Sequence, residues 1–321
     1  MRAARSITSR EVVVEDVPDR VAGPGEIVCR VLACGVCGSD VSEVYVSRKL
    51  PGVLGHEVVG EVLATGAGVS GVTAGDRVVI HHHAPCGTCR RCRRGHETLC
   101  DQFRATSLYP GGFAEQVRIE APLVPELLAL GDLDPVAGTF VEPLACVLRA
   151  LDRARLTADD TLLVVGAGSN GLLAIAAARA RGTETVWIRE PRDDRRRLAQ
   201  AWGATRHADE PVDVAFLTTA AEEAVAGAAA ALAIGGTLCL YATTKPGASL
   251  GLDAEQLFLR ELTVCSSWSA GPGDMRAAYD LIASGRIDPL KLVTHRVGLG
   301  ETARALDLQR RGEAIKAVVV P

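Results

Sequence analysis

Aromatic side chains are scarce in this 321-residue chain, at 4% of positions, and no long apolar run interrupts it. So few aromatics argue against a stacking platform for unpaired bases. The stretch of lowest polarity, Ala224 to Ile234, is too short to span a bilayer, which takes about 20 residues. A net charge of −4 lacks the basic excess that grips a phosphate backbone over a whole protein surface. Met1 to Ser6 run into Glu11-Val12-Val13-Val14 with no apolar signal core. The expectation is a cytoplasmic protein with a small-molecule partner, no nucleic acid and no membrane.

The length favours two domains over one, because single hydrophobic cores stop growing near this size. Over the first ~140 residues, short strands alternate with Gly and Pro: Val12–Val14, Glu26–Ala33, Val58–Ala64, Arg77–His81 and Phe113–Ile119. That spacing predicts a compact, β-rich domain. From Thr161 the pattern changes. An apolar strand, Thr161–Val165, meets a Gly-rich turn and then an Ala-rich helix to Arg181. Strands at Thr185–Ile188, Val212–Leu217 and Thr237–Tyr241 alternate with helical segments, which predicts a doubly wound parallel sheet. Between Ala204 and Val212 only Arg206–Pro211 remain, too few for a crossover helix, so one helix is expected to be missing. A helix is expected at Met275–Gly285, and the closing Ala317–Pro321 strand is expected to return to the first domain.

G-x-G-x-x-G occurs twice, and context separates the copies. Gly66-Ala-Gly68-Val-Ser-Gly71 is followed by Gly75-Asp76 and another strand, so it is read as a turn. Gly166-Ala-Gly168-Ser169-Asn170-Gly171 follows a buried strand and opens a helix, where backbone N–H groups can cradle a pyrophosphate. Glu190, nineteen residues beyond Gly171, ends the next strand and can accept hydrogen bonds from both ribose hydroxyls. It would repel a 2′-phosphate, so NAD is favoured, with NADP possible because Arg189 and Arg192 flank it. Arg195 is placed with the cofactor residues.

Ten cysteines in an intracellular chain point to metal or catalysis rather than disulfides. Cys86, Cys89, Cys92 and Cys100 supply four thiolates within fifteen positions, the donor set of a closed, structural Zn²⁺. Arg90, Arg91, Arg93 and Arg94 allow a rival reading as a nucleic-acid knuckle, which the acidic balance and missing aromatics disfavour. Cys29, Cys146, Cys239 and Cys265 sit in apolar runs and read as core. His81, His82 and His83 are expected on a strand, pointing alternately, in packing or solvent. Cys37 in Cys34-Gly-Val-Cys37-Gly-Ser39-Asp40, His56-Glu57 in Gly55-His-Glu-Val-Val-Gly60, and Glu142 in Val141-Glu-Pro-Leu-Ala145 are each unremarkable alone.

In that order these five motifs resemble the zinc-dependent medium-chain dehydrogenases, closest to the polyol, sorbitol and threonine dehydrogenase branch, over essentially the whole chain. The resemblance implies a GroES-like catalytic domain at 1–143 and 270–321, with a structural zinc lobe at 84–102. It also implies a Rossmann coenzyme domain at 144–269, with the cofactor in a cleft between the domains. Cys37 and His56 are then catalytic zinc ligands, and Glu57 and Glu142 both fit as the acidic third. Cys34 is expected not to ligate. Two zinc ions per chain follow, one catalytic and one structural. Ser39 matches the hydroxyl that begins the proton relay in relatives, but the histidine often found three residues later is Ser42 here. The Cys37-to-His56 interval is short for the branch, and its Glu43, Tyr45, Arg48 and Lys49 hint at a polar substrate. Zn²⁺ lowers the pKa of a hydroxyl it binds, so hydride can pass between a secondary alcohol and a nicotinamide. The implied enzyme interconverts a polyol, sugar, cyclitol or amino alcohol and its ketone. It is a homodimer or homotetramer touching through Leu262–Ser267. The alternative is a non-enzymatic sensor of zinc and nucleotide on the same fold.

Overall fold

The computed structural model describes residues 1–206, 210–242, 244 and 246–321. In chain order, the elements that position the site begin with the strands β1 (Ile27–Gly35), β2 (Glu57–Thr65) and β3 (Arg77–Ile80). Helix α1 (Val141–Arg153) follows, then β4 (Thr161–Val165), α2 (Ser169–Ala180), β5 (Thr185–Arg189) and α3 (Asp193–Ala201). Next come β6 (Thr205–Arg206), β7 (Val212–Leu217), α4 (Glu222–Ala231), β8 (Leu232–Leu240) and β9 (Thr263–Ser266). The strands β10 (Val293–Val297) and β11 (Lys316–Val319) close the chain. No helix among the described residues is long and apolar enough to cross a membrane.

The chain divides into two compact units, Met1–Pro143 with Gly271–Pro321, and Leu144–Ala270. In the first, β10, β11, β1, β2 and β3 lie side by side in that order, with Leu128–Ala129 on the far edge. Alternation along β1 sends Ile27, Cys29 and Val31 into a core shared with Val58 and Val62 of β2 and with Phe113, Val117 and Ile119. The first glycine motif spans the link between β2 and β3, where Gly68 and Gly71 take positive φ, so it is the turn that its context requires.

In the second unit six parallel strands run in the order β6-β5-β4-β7-β8-β9. Leu163, Val165, Trp187, Ala215 and Leu217 from the sheet pack against Val225 and Ala228 of α4. The link from β6 to β7, where a crossover helix was expected to be missing, falls largely on residues 207–209, which lie outside the described residues. Trp187 of β5 is buried in the α4 core, and Arg189 reaches α4, where a Cβ at Gly227 would stand 3.1 Å from its guanidinium. The Ala-rich stretch from Ala224 runs directly from α4 into β8, so that strand starts five residues earlier than the pattern indicates. The later helix spans Pro272–Ala283, with Pro272 supplying a favourable first turn.

Candidate active site

Cys37 follows β1 and caps a short 3₁₀ helix, Gly38–Val41. Its Sγ accepts the Ser39 N–H at 3.5 Å, while Asp40 Oδ2 accepts the Cys37 N–H at 3.0 Å. The other oxygen, Oδ1, accepts the Gly55 N–H at 3.4 Å and faces His56 Nδ1 at 3.5 Å. One buried carboxylate therefore fixes both segments and turns the imidazole so that Nε2 is left for a ligand. Burial works against the charge of Asp40, but His56 and the Cys37 N–H outweigh it and hold the carboxyl below its ordinary range.

A donor atom each from Cys37, His56 and Glu57 lie within 4.8 Å of one another. Zn–S of about 2.3 Å and Zn–N or Zn–O of about 2.0–2.2 Å place such donors roughly 3.3–3.8 Å apart, so this trio can close on one ion. Glu57 is 1% exposed, and its Oε1 is buried without a partner, as expected of an atom meant for a metal. Glu142, buried at the start of α1, does not join this group. Cys34 is also outside it; its thiol donates to the Gly35 carbonyl at 3.6 Å, and burial raises its pKa.

The sequence reading missed Lys316. Its Nζ donates to Glu57 Oε2, and the side chain is 2% exposed. Burial disfavours the ammonium, yet Glu57 and then Cys37 more than offset that and raise its pKa. Removing one partner of such a buried pair costs about 3–5 kcal/mol, because the other charge is left uncompensated. The signal was present in the sequence: a single charge inside the apolar run Ala314 to Val320.

Beside His56 lies a cavity of about 270 Å³, walled by Lys49, Leu54, His82, Ser107 and Leu108. Of the four polar residues singled out between Cys37 and His56, only Lys49 lines it; its Nζ donates to the Tyr45 hydroxyl at 2.6 Å. The three histidines do not alternate along a strand, because β3 ends at Ile80 and they follow it. Their rings gather instead, with centroids 5.5 Å apart for His81–His82 and 4.0 Å for His82–His83, and His82 stands 4.9 Å from His56. Burial holds His81 neutral, its pKa pushed down to about 3. His82 Nδ1 and Ser39 Oγ are both buried without partners.

The four-cysteine lobe is compact. Cys89 and Cys92 Sγ lie 3.5 Å apart and Cys86 and Cys92 Sγ 4.0 Å apart, bracketing the roughly 3.8 Å edge of a tetrahedral Zn–S₄ site. Backbone N–H groups of Cys86 and Cys89 point at Cys100 and Cys86 Sγ, at 3.4 and 3.3 Å. The Thr88 backbone N–H, followed by that of Cys89 and the Thr88 hydroxyl, favours the Cys86 thiolate and lowers its pKa to about 6. Arg90, Arg91, Arg93 and Arg94 are all exposed around it.

At the nucleotide turn, Gly166 takes φ +98°, and a Cβ there would overlap Thr218. Gly171 packs so close to the Gly166 carbonyl that no side chain fits. Gly168 differs: a Cβ would meet nothing nearer than Arg195 at 4.0 Å, so the turn leaves an open cradle. Gly168 caps α2 without a side-chain bond, and Ser169 Oγ is buried with no partner, so the helix start has donors to offer a phosphate. Asn170 follows in the first turn of α2. Glu190 turns back to this loop, accepting Ala167 N–H at 2.8 Å and Arg192 N–H at 3.0 Å. Arg192 is paired with Asp194 at 2.7 Å.

A half-buried cysteine with a buried histidine and glutamate, a four-sulfur lobe and a glycine-rich turn on a parallel sheet are the features a zinc-binding dehydrogenase would use. Residues 23–127 match the alcohol dehydrogenase GroES-like domain, and residues 171–284 match the zinc-binding dehydrogenase family. The chain is 31% identical over 322 residues to D-altritol 5-dehydrogenase of Agrobacterium fabrum, covering 94% of each protein. It is 29% identical over 348 residues to sorbitol dehydrogenase of Bacillus subtilis, covering 100% of this chain and 97% of that one. A Sinorhizobium meliloti 1021 protein, called a zinc-binding dehydrogenase and crystallised with NADP, superposes with a TM-score of 0.89 at 29% identity, over 100% of this chain and 99% of that one. The chain belongs to the zinc-dependent medium-chain alcohol dehydrogenase family, in its polyol dehydrogenase branch. It is an alcohol dehydrogenase that works with zinc and NAD(P) on a small-molecule alcohol.

Proposed function

We propose that this chain is a zinc-dependent, NAD-linked dehydrogenase that interconverts a secondary alcohol bearing further polar groups, such as a polyol, and its ketone. The observation that carries the reading is the trio of Cys37, His56 and Glu57, with donors within 4.8 Å and Glu57 Oε1 buried and unpaired. Cys37, His56 and Glu57 would hold an ion that would supply Lewis acidity toward a substrate hydroxyl, and the Gly166–Gly171 turn would hold a nicotinamide dinucleotide that would supply hydride chemistry. Asp40 holds the Cys37 and His56 segments so that no reorganisation is needed when substrate enters. Ser39 Oγ, buried without a hydrogen-bond partner, would accept the substrate proton while passing on its own; Ser42 cannot carry it further as an imidazole would, so water, a ribose or another group would continue the path. Glu190 favours the free ribose hydroxyls of NAD, since a 2′-phosphate would sit against its carboxylate. Lys49, His82 and Ser107 give the cavity polar walls, which supports a hydroxylated substrate over a plain hydrocarbon alcohol. The strand β9 lies at the sheet edge with Val264 and Trp268 exposed, which supports a homo-oligomer pairing through it. We place the enzyme in the cytoplasm.

The test is a panel of secondary alcohols and polyols with NAD and NADP in parallel, read at the absorbance of the reduced nicotinamide. The expected result is turnover of at least one polyol with NAD, at kcat/KM about tenfold or more above NADP. No turnover of any alcohol by zinc-loaded protein that still binds nucleotide would favour the sensor instead.

A further inference from the structure

Lys316 does more than balance a buried charge. In the sheet of the first unit, β1 lies between β11 and β2, with Gly35 opposite Val318 on one side and Glu57 on the other. Lys316 and Glu57 therefore reach toward each other across β1, over the one position there that has no side chain. A Cβ at Gly35 would overlap Glu57 Oε2 and stand 3.0 Å from Lys316 Cε. The ammonium is aimed from the far side by the fixed register of β11 and backed by the Phe140 ring at 5.4 Å. With Oε2 held by Lys316, the carboxylate can turn only its Oε1 edge to Cys37 and His56, and that oxygen is the buried one without a partner.

We propose that Lys316 is a positioning residue for the metal, tethering Glu57 over Gly35 so that Glu57 Oε1, rather than Glu142, is the standing acidic ligand beside Cys37 and His56. This rests on the zinc reading above. A carboxylate on a two-carbon stem is otherwise free to rotate out of reach, and partners that orient a ligand are worth about 10–100-fold in metal affinity. The tether also leaves the ion a single oxygen from Glu57, which keeps a position open for substrate.

The experiment follows zinc leaving the purified, zinc-loaded protein into a chromophoric chelator, with the visible spectrum of the cobalt-substituted protein as a second readout. Lys316→Met is expected to release the trio's zinc about tenfold or more faster than wild type and to alter the cobalt spectrum, while the lobe's zinc leaves at its wild-type rate. Glu57→Gln is expected to do the same, and Glu142→Gln to leave release unchanged. The double variant Lys316→Met/Glu57→Gln carries no buried charge at this spot, so it folds even where the single lysine variant does not. Because Lys316 acts through Glu57, the double variant is expected to match Glu57→Gln. Wild-type release and an unchanged cobalt spectrum in Lys316→Met would overturn the proposal. So would a further tenfold acceleration when Lys316→Met is added to Glu57→Gln, or release from Glu142→Gln as fast as from Glu57→Gln. A wild-type protein holding zinc only in the four-cysteine lobe would instead overturn the functional reading, and this inference with it.

Discussion

Asp40 and His82 show how single residues set this site. Asp40 sits three positions after Cys37, the spacing of a capping box, and its two oxygens reach Cys37, Gly55 and His56 together. The Cys-Gly-Ser-Asp motif places it, but only the fold shows that its second oxygen meets a segment fifteen residues away. Cys37 and His56 could be singled out because their motifs are local, and the fold brings their donor atoms within 4.8 Å of each other. A choice between Glu57 and Glu142 could not be made from motifs, because the buried partner of Glu57 that the proposal above invokes lies 259 residues away in sequence. His82 was read as alternating on a strand that in fact ends two residues before it. Its ring lines the cavity with an unpaired, buried Nδ1, and a wall built to meet a hydroxyl discriminates against analogues that lack one. His82→Leu is therefore expected to lower kcat/KM for a polyol about tenfold or more while sparing a simple secondary alcohol of the same chain length. Paired kinetics on the two substrates check this, and an unchanged ratio would remove the cavity from the substrate's path.

Among elements, the two glycine motifs illustrate what pattern decides and what neighbours decide. Both match the same string, and the flanking strand and helix were enough to separate them. The missing crossover was expected because so few residues cannot form a helix and return, but most of that link lies outside the described residues. What the sequence did not disclose is that Trp187 and Arg189 of β5 reach α4. Within the nucleotide turn the three glycines have different jobs. Gly166 and Gly171 are required by the protein's own packing, whereas Gly168 faces open space. Gly168→Val is accordingly expected to weaken NADH binding about tenfold or more with little change in unfolding midpoint, measured by fluorescence titration and urea unfolding. Equal NADH affinity in the variant would mean that the pyrophosphate lies elsewhere.

Over the whole molecule, composition narrows the classes while the ordered motifs name one. A weakly acidic, aromatic-poor chain with clustered cysteines has few ways to engage nucleic acid and a clear way to bind metal. The basic residues around the sulfur lobe are exposed on a protein of net charge −4, as a solvated surface would be. Two separate candidate metal sites in one unit are easy to test apart, because each has its own set of donor residues. The most direct measurement is zinc content per chain in the wild type and in Cys37→Ser and His56→Ala, with circular dichroism to show that each is folded. The account predicts about two ions in the wild type and about one in either variant, the survivor being that of Cys86, Cys89, Cys92 and Cys100. Folded variants that keep both ions would contradict it.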